Sequence, residues 1–345
     1  LVLYLTVGYS DHPATLLLLQ LQMLIPAAAA IVLGLFAFKS SPIYRTRSPL
    51  RWFLYAYLAY ALLFVVLAVG ALWIEAELYL IFVNLATLGL GLGLLAIVVL
   101  ARLIGGRQAF ARTGLGGGRP IYYVTFSLLL VTIYLVMTGL NALFGLGETV
   151  NLMDLLQTMA GDQATGLEDI PPAAVFALIA VQSVVLGPLL GLPMAFGEEY
   201  GWRGFLQSEL VKMGKARGIL LLGIIWGVWH APIIAMGHNY PGYPLLGPVV
   251  MTLYTIGLGF FLGYAVLKSG SVWLAAFLHG LNNQVASFLF VAVYRPDDPL
   301  FSFGTGLYGI AVWAVVVAAL LLLDRKAWTG PAEPPALPVA EEGVL

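Results

Sequence analysis

Nine long apolar stretches divide this 345-residue chain, and they constrain its fold more than any other feature. They fall at 14–38, 52–73, 78–101, 121–145, 173–210, 218–236, 243–267, 271–293 and 305–323. A helix needs roughly 20 mostly apolar residues to cross the hydrocarbon of a bilayer. Within lipid every backbone polar group must be satisfied internally, so only helices and closed barrels span it. The period-two alternation of barrel strands is absent. The expected fold is therefore an all-α, polytopic transmembrane helix bundle of about eight or nine spans. Composition agrees: 10% of the residues are charged and 61% are hydrophobic, against about 25% charged in soluble domains. Such apolarity also excludes a disordered chain. A net charge of −1 leaves no basic face for nucleic acid. With no cysteine there is no disulfide framework, thiolate nucleophile or Cys-ligated metal.

Lys and Arg accumulate in cytoplasmic loops. Here they occupy alternate connections: Lys39, Arg45, Arg47 and Arg51; Arg102, Arg107, Arg112 and Arg119; Lys212, Lys215 and Arg217; Lys268; and Arg325 with Lys326. That is 14 of the 16 cations, and it predicts the N-terminus outside and the C-terminus inside. The intervening connections carry acids instead, among them Glu75, Glu77, Glu148, Asp154, Asp162, Glu168 and Asp169. The fifth stretch is too long for one upright span, since a continuous helix over 173–210 would reach roughly 57 Å. It is expected to be one tilted or broken crossing, kinked near Pro188 and Pro193, with an interfacial piece. Residues 1–150 form four N-terminal spans without a recognised motif, 151–328 the remaining core and last span, and 329–345 a disordered cytoplasmic tail rich in Pro, Ala and Glu. The N-terminus lacks the basic region and cleavage site of a signal peptide. Glycines 89, 91 and 93 read as close helix packing. The loop Gly114-Leu115-Gly116-Gly117-Gly118 lacks the lysine and strand-to-helix context of a phosphate cradle.

Ionisable groups inside spans are costly and point by default to function. They are few: Glu198, Glu199, Arg203 and Glu209 in the fifth stretch, His230 in the sixth, and His279, followed by Asn282 and Asn283, in the eighth. Glu198 precedes Lys212 by 14 residues, His230 follows Arg217 by 13, and His279 follows Lys268 by 11. On helices, all three sit roughly 16–21 Å in from the cytoplasmic markers, so three spans can present them to one site. Glu199 and Arg203 are four residues apart and can pair. Glu198 points about 100° away with no sequence-local partner, as suits a general base. His279 and Asn283, also four apart, can both donate to a developing oxyanion, and His230 can share a water with Glu198. A structural ion pair, a packed histidine and interhelical asparagine contacts are the bland alternatives for the same residues. Glu209 reads as interfacial, and His12 and His238 as outer-segment residues without a role.

These residues resemble a known family. Glu198-Glu199-Tyr200-Gly201-Trp202-Arg203 matches the EExxxR motif of the CPBP intramembrane proteases, also called the CAAX prenyl-protease 2 or type II CAAX endopeptidase family. Trp226-Gly227-Val228-Trp229-His230 is similar to its FxxxH motif, with Trp226 in the Phe position. His279-Gly280-Leu281-Asn282-Asn283 matches HxxxN. The resemblance covers residues 173–293 and implies an α-helical membrane endopeptidase. By motif, Glu198 corresponds to the water-activating glutamate and His230 to its assistant. His279 and Asn283 correspond to the oxyanion hole, and Glu199 and Arg203 to the groups that orient the glutamate.

One glutamate and two histidines (Glu198, His230 and His279) could hold zinc with a water in the fourth position. The family's prenyl-protease branch implies a metal-free, glutamate-activated water instead, and no cofactor is firmly expected. The implied partners are the lipid bilayer and a peptide or protein substrate, itself membrane-associated or not; nucleic acid is not among them. The expected location is a prokaryotic plasma membrane. Two rivals remain: a transporter or ion-coupled channel using the Glu/His cluster, and a non-catalytic scaffold or bacteriocin-immunity protein that keeps the motifs for structure.

Overall fold

Runs of Leu, Val, Ala and Phe without interior charge become helices, and the breaks between them fall where Gly, Pro or charge interrupts. A computed structural model describes residues 15–39, 41–45, 48–70, 77–153 and 170–329. Among these, seven helices are long and apolar enough to cross a membrane. Five carry labels α1 (Thr15–Val32, prolonged by a π turn), α2 (Leu50–Gly70), α3 (Glu77–Ala111), α4 (Pro120–Leu143) and α5 (Pro172–Leu190). After α6 (Leu192–Glu199) come the other two long ones, α7 (Lys215–Ala235) and α8 (Leu246–Ser269). Two of the nine expected spans are shorter: α9 (Val272–Gln284), which runs into a π turn at Val285–Leu289, and α10 (Leu307–Leu323). The molecule is an all-α polytopic bundle. Its one sheet among the described residues is an antiparallel pair, β1 (Gly147–Thr149) with β2 (Tyr294–Pro296), which joins two connections at one end of the bundle. The expectations for His12, Glu75, Asp154, Asp162, Glu168, Asp169 and the tail beyond residue 329 lie outside the described residues.

The fifth stretch is bent rather than straight. Its break is at Gly191, where the helical turn closes between α5 and α6. Pro193 occupies the first turn of α6, where a missing N–H leaves no carbonyl unpaired, and Pro188 lies within α5 just after the π turn Gln182–Leu186. Beyond α6 the chain is π-helical over Tyr200–Leu206 and α-helical again over Gln207–Leu210. Successive pieces meet α9 in reverse order: Gly187 lies against Gln284, Pro188 against Gly280, Glu199 against His279, and Gly204 beside Val272. Residues 182–206 therefore run antiparallel along α9 as one bent crossing.

Two close approaches hold the motif-bearing helices in place. Gly197 and Gly201, one turn apart, face α1; a side chain on Gly197 would strike the Met23 and Leu24 backbone, and one on Gly201 would strike Pro26. Gly227 of α7 meets the Thr252 backbone of α8 in the same way. Small residues at helix crossings are how membrane helices gain packing contact without a hydrophobic drive between them. Of the three α3 glycines read as packing positions, Gly91 alone fills that role, against Pro193 at 3.1 Å; Gly89 and Gly93 face open space. Large apolar side chains such as Leu62, Leu103 and Leu135 point outward, as lipid contact requires.

Candidate active site

The site forms where α6, α7 and α9 come together. Burial and pairing treat its two adjacent glutamates differently. Glu199 is fully buried, and its Oε1 accepts from Arg203 Nη1 at 2.9 Å and lies 2.8 Å from His279 Nδ1. The pair Glu199–Arg203 is the expected i,i+4 contact; the π-helical turn between them does not prevent it. Glu198 is buried too, though not completely, and takes a different partner: its Oε2 accepts the Trp226 indole N–H at 2.7 Å. Its Oε1 receives no hydrogen bond from the described residues.

Trp226 is the hub. Besides its N–H bond, its ring lies 4.1 Å from the Arg203 guanidinium carbon, within the range of a cation–π contact. Its edge meets His279 at 5.4 Å and His230 at 5.7 Å between centroids. His230 Nδ1 lies 2.8 Å from the Trp226 carbonyl. A carbonyl only accepts, so Nδ1 carries the hydrogen and Nε2 of a neutral ring keeps its lone pair.

On α9 the two asparagines divide. Asn282 is buried; Tyr134 and Tyr254 hydroxyls lie 2.8 and 3.0 Å from its Oδ1 and 2.8 Å from each other. Its Nδ2 donates to Asn283 Oδ1 at 3.3 Å. Asn283 itself is exposed, one turn beyond His279. The structure thus brings together Glu198, Glu199, Arg203 and His279, sets His230 at their edge through Trp226, and leaves Asn283 linked through Asn282. Glu209 is at the exposed end and pairs with Lys212. Glu198, His230 and His279 do not assemble into a metal site: among the described residues no three His, Cys, Asp or Glu could share an ion.

Sequence reasoning missed Trp226 as a donor, because a Trp in a Phe position reads as packing. It also missed Tyr134 and Tyr254, which no motif spacing marks.

Comparison with known proteins bears on this segment. Residues 178–285, which contain all three motifs, match the family described as Type II CAAX prenyl endopeptidase Rce1-like. A CAAX prenyl protease 2 from Methanococcus maripaludis is 26% identical over 132 residues, 37% of this chain. The match spans 46% of that relative, so it covers less than half of either protein. No solved structure gives a significant match. The two matches support the resemblance to the CPBP family carried by the three motifs.

Proposed function

We propose that this protein is an intramembrane endopeptidase that hydrolyses a peptide bond with a water activated by Glu198. The observation that carries the reading is the unequal treatment of two neighbouring carboxylates. Glu199 spends Oε1 on both Arg203 and His279 and its Oε2 is sealed in the protein without a partner, while Glu198 is fixed through Oε2 by Trp226 and its Oε1, which is not sealed in this way, is kept for chemistry. A carboxylate with one oriented oxygen and one open oxygen suits a general base. The water oxygen bonds to the scissile carbonyl carbon, and its proton passes to Glu198 Oε1. The proton then goes to the leaving nitrogen as the C–N bond breaks. His230 Nε2, a lone-pair nitrogen, accepts from the same water. The carbonyl oxygen gathers negative charge and is met by donors on α9. Asn283 has its Oδ1 engaged by Asn282, so its NH2 is available. His279 donates through Nε2 when its ring is protonated, a state that balances Glu198, Glu199 and Arg203 to zero net charge.

No step needs a metal. Exhaustive chelation is expected to leave cleavage unchanged, and lost activity restored by zinc would overturn that version. The substrate class is a peptide or protein segment reached at the bilayer of a prokaryotic plasma membrane. The test compares protein termini in membranes of cells expressing wild type and Glu198→Gln. New termini confined to wild type support the reading, and identical sets overturn it.

A further inference from the structure

A second polar locus lies on the far side of α6 from the Lys212 end. At the Gly191 break a cavity of about 370 Å³ opens between α1, α2, α3, α5 and α9. Four of its lining side chains are amides (Gln20, Asn84, Gln182 and Gln284) and two are hydroxyls, Tyr60 and Thr87. No Asp, Glu, Lys or Arg lines it. The side-chain amides of Gln20, Gln182 and Gln284 make no hydrogen bond among the described residues. Three unpartnered amides from three helices of a membrane bundle cannot be satisfied by acyl chains. Each presents both donors and an acceptor, so the complement is an uncharged group with donors and acceptors in alternation. Ions are disfavoured, because no opposite charge awaits them. A polypeptide backbone has the required chemistry.

The cavity also leads toward the carboxylate. Gly187, Gly191 and Met194 line the cavity, and within α6 Met194 stands one helical turn before Glu198. A Cβ on Gly191 would meet only the Gly187 carbonyl oxygen, at 3.0 Å, so this wall is bare backbone on the side of the cavity.

We propose that this cavity is a water-filled subsite that holds the backbone of a substrate polypeptide beside Glu198. The peptide occupant rests on the endopeptidase reading; the hydration does not. The chain has no cysteine, so single thiols can be placed without background. Full-length Gln182→Cys and Gln284→Cys variants in lipid nanodiscs are exposed to a cationic, membrane-impermeant methanethiosulfonate. Leu128→Cys and Leu135→Cys, at outward-facing positions of α4, serve as lipid-side references. Labelling at least tenfold faster at 182 and 284 is expected. N-acetyl-hexaalanine amide, which offers backbone and little else, is expected to slow labelling there severalfold. Gly191→Leu, filling the space, should abolish that protection and raise KM for any cleaved peptide. Equal rates at all four positions overturn the hydrated cavity. Fast labelling unaffected by the peptide, in protein that cleaves peptides, overturns the occupant. Protection in protein that cleaves nothing supports the cavity and overturns the catalytic reading instead.

Discussion

At the scale of single residues, the chemistry turns on which oxygens are free. Glu198→Gln removes the base at near-constant volume and is expected to lower kcat by ~10²–10⁴-fold with the fold intact, measured by peptide cleavage beside size-exclusion profiles. Trp226→Phe is a finer probe. It keeps a ring under Arg203 but deletes the N–H that orients Glu198. Hydrogen bonds to charged groups contribute ~1.5–3 kcal/mol, so kcat should fall about 10- to 100-fold with KM unchanged; an unaltered kcat contradicts the positioning role. Residue type and spacing were enough to single out Glu198, Glu199, Arg203, His230 and His279, since charge inside apolar spans is rare. The partners were not legible. Trp226 lies 28 positions from Glu198, and Tyr134 lies 148 from Asn282. Contacts at those separations depend on how helices pack, which local pattern does not encode.

Among the elements, the supports of the site are backbone contacts. Gly201 stands inside the first motif and against Pro26 of α1. Gly201→Leu must push α1 and the π-helical segment apart, and overpacking of this kind costs ~1–3 kcal/mol or more; a lowered thermal midpoint is expected, and an unchanged one contradicts the packing account. At the other end of the bundle Asp324 accepts from Lys268 and Tyr264, each at 2.8 Å, joining the end of α8 to that of α10. Those bonds, Lys268 foremost, hold its carboxyl below the ordinary carboxylate range. A depressed folded value means the contribution is present above the unfolded pKa and is lost as pH falls through the folded one. Asp324→Asn should therefore lower stability at neutral pH, by ~0.2–1 kcal/mol for so exposed a pair, and match wild type in acid. A deficit independent of pH would contradict this. The nine apolar stretches forecast the helices well. The bend of the fifth was foreseen near Pro188 and Pro193, and the break falls between them, at Gly191.

For the whole molecule, the N-terminal spans gain a role that no motif in them announced. α1 backs the first motif, and Tyr134 of α4 joins Tyr254 in holding Asn282, hence Asn283. Tyr134→Phe removes one member of that chain, worth about 1 kcal/mol; kcat is expected to drop roughly fivefold with little change in KM, and a pure loss of stability without a kinetic effect contradicts it. Glu198, His230 and His279, matched in the sequence by their distances to flanking cations, come together around Trp226. The orientation those cations forecast concerns the membrane and is open to reporter fusions at the connections. The central claim is that Glu198 activates the water that cleaves a peptide bond. Its most direct test is cleavage of a defined peptide library by purified wild type and Glu198→Gln in nanodiscs, with products identified by mass. The account predicts products from wild type and a loss of at least ~10²-fold in the variant; equal cleavage by both contradicts it.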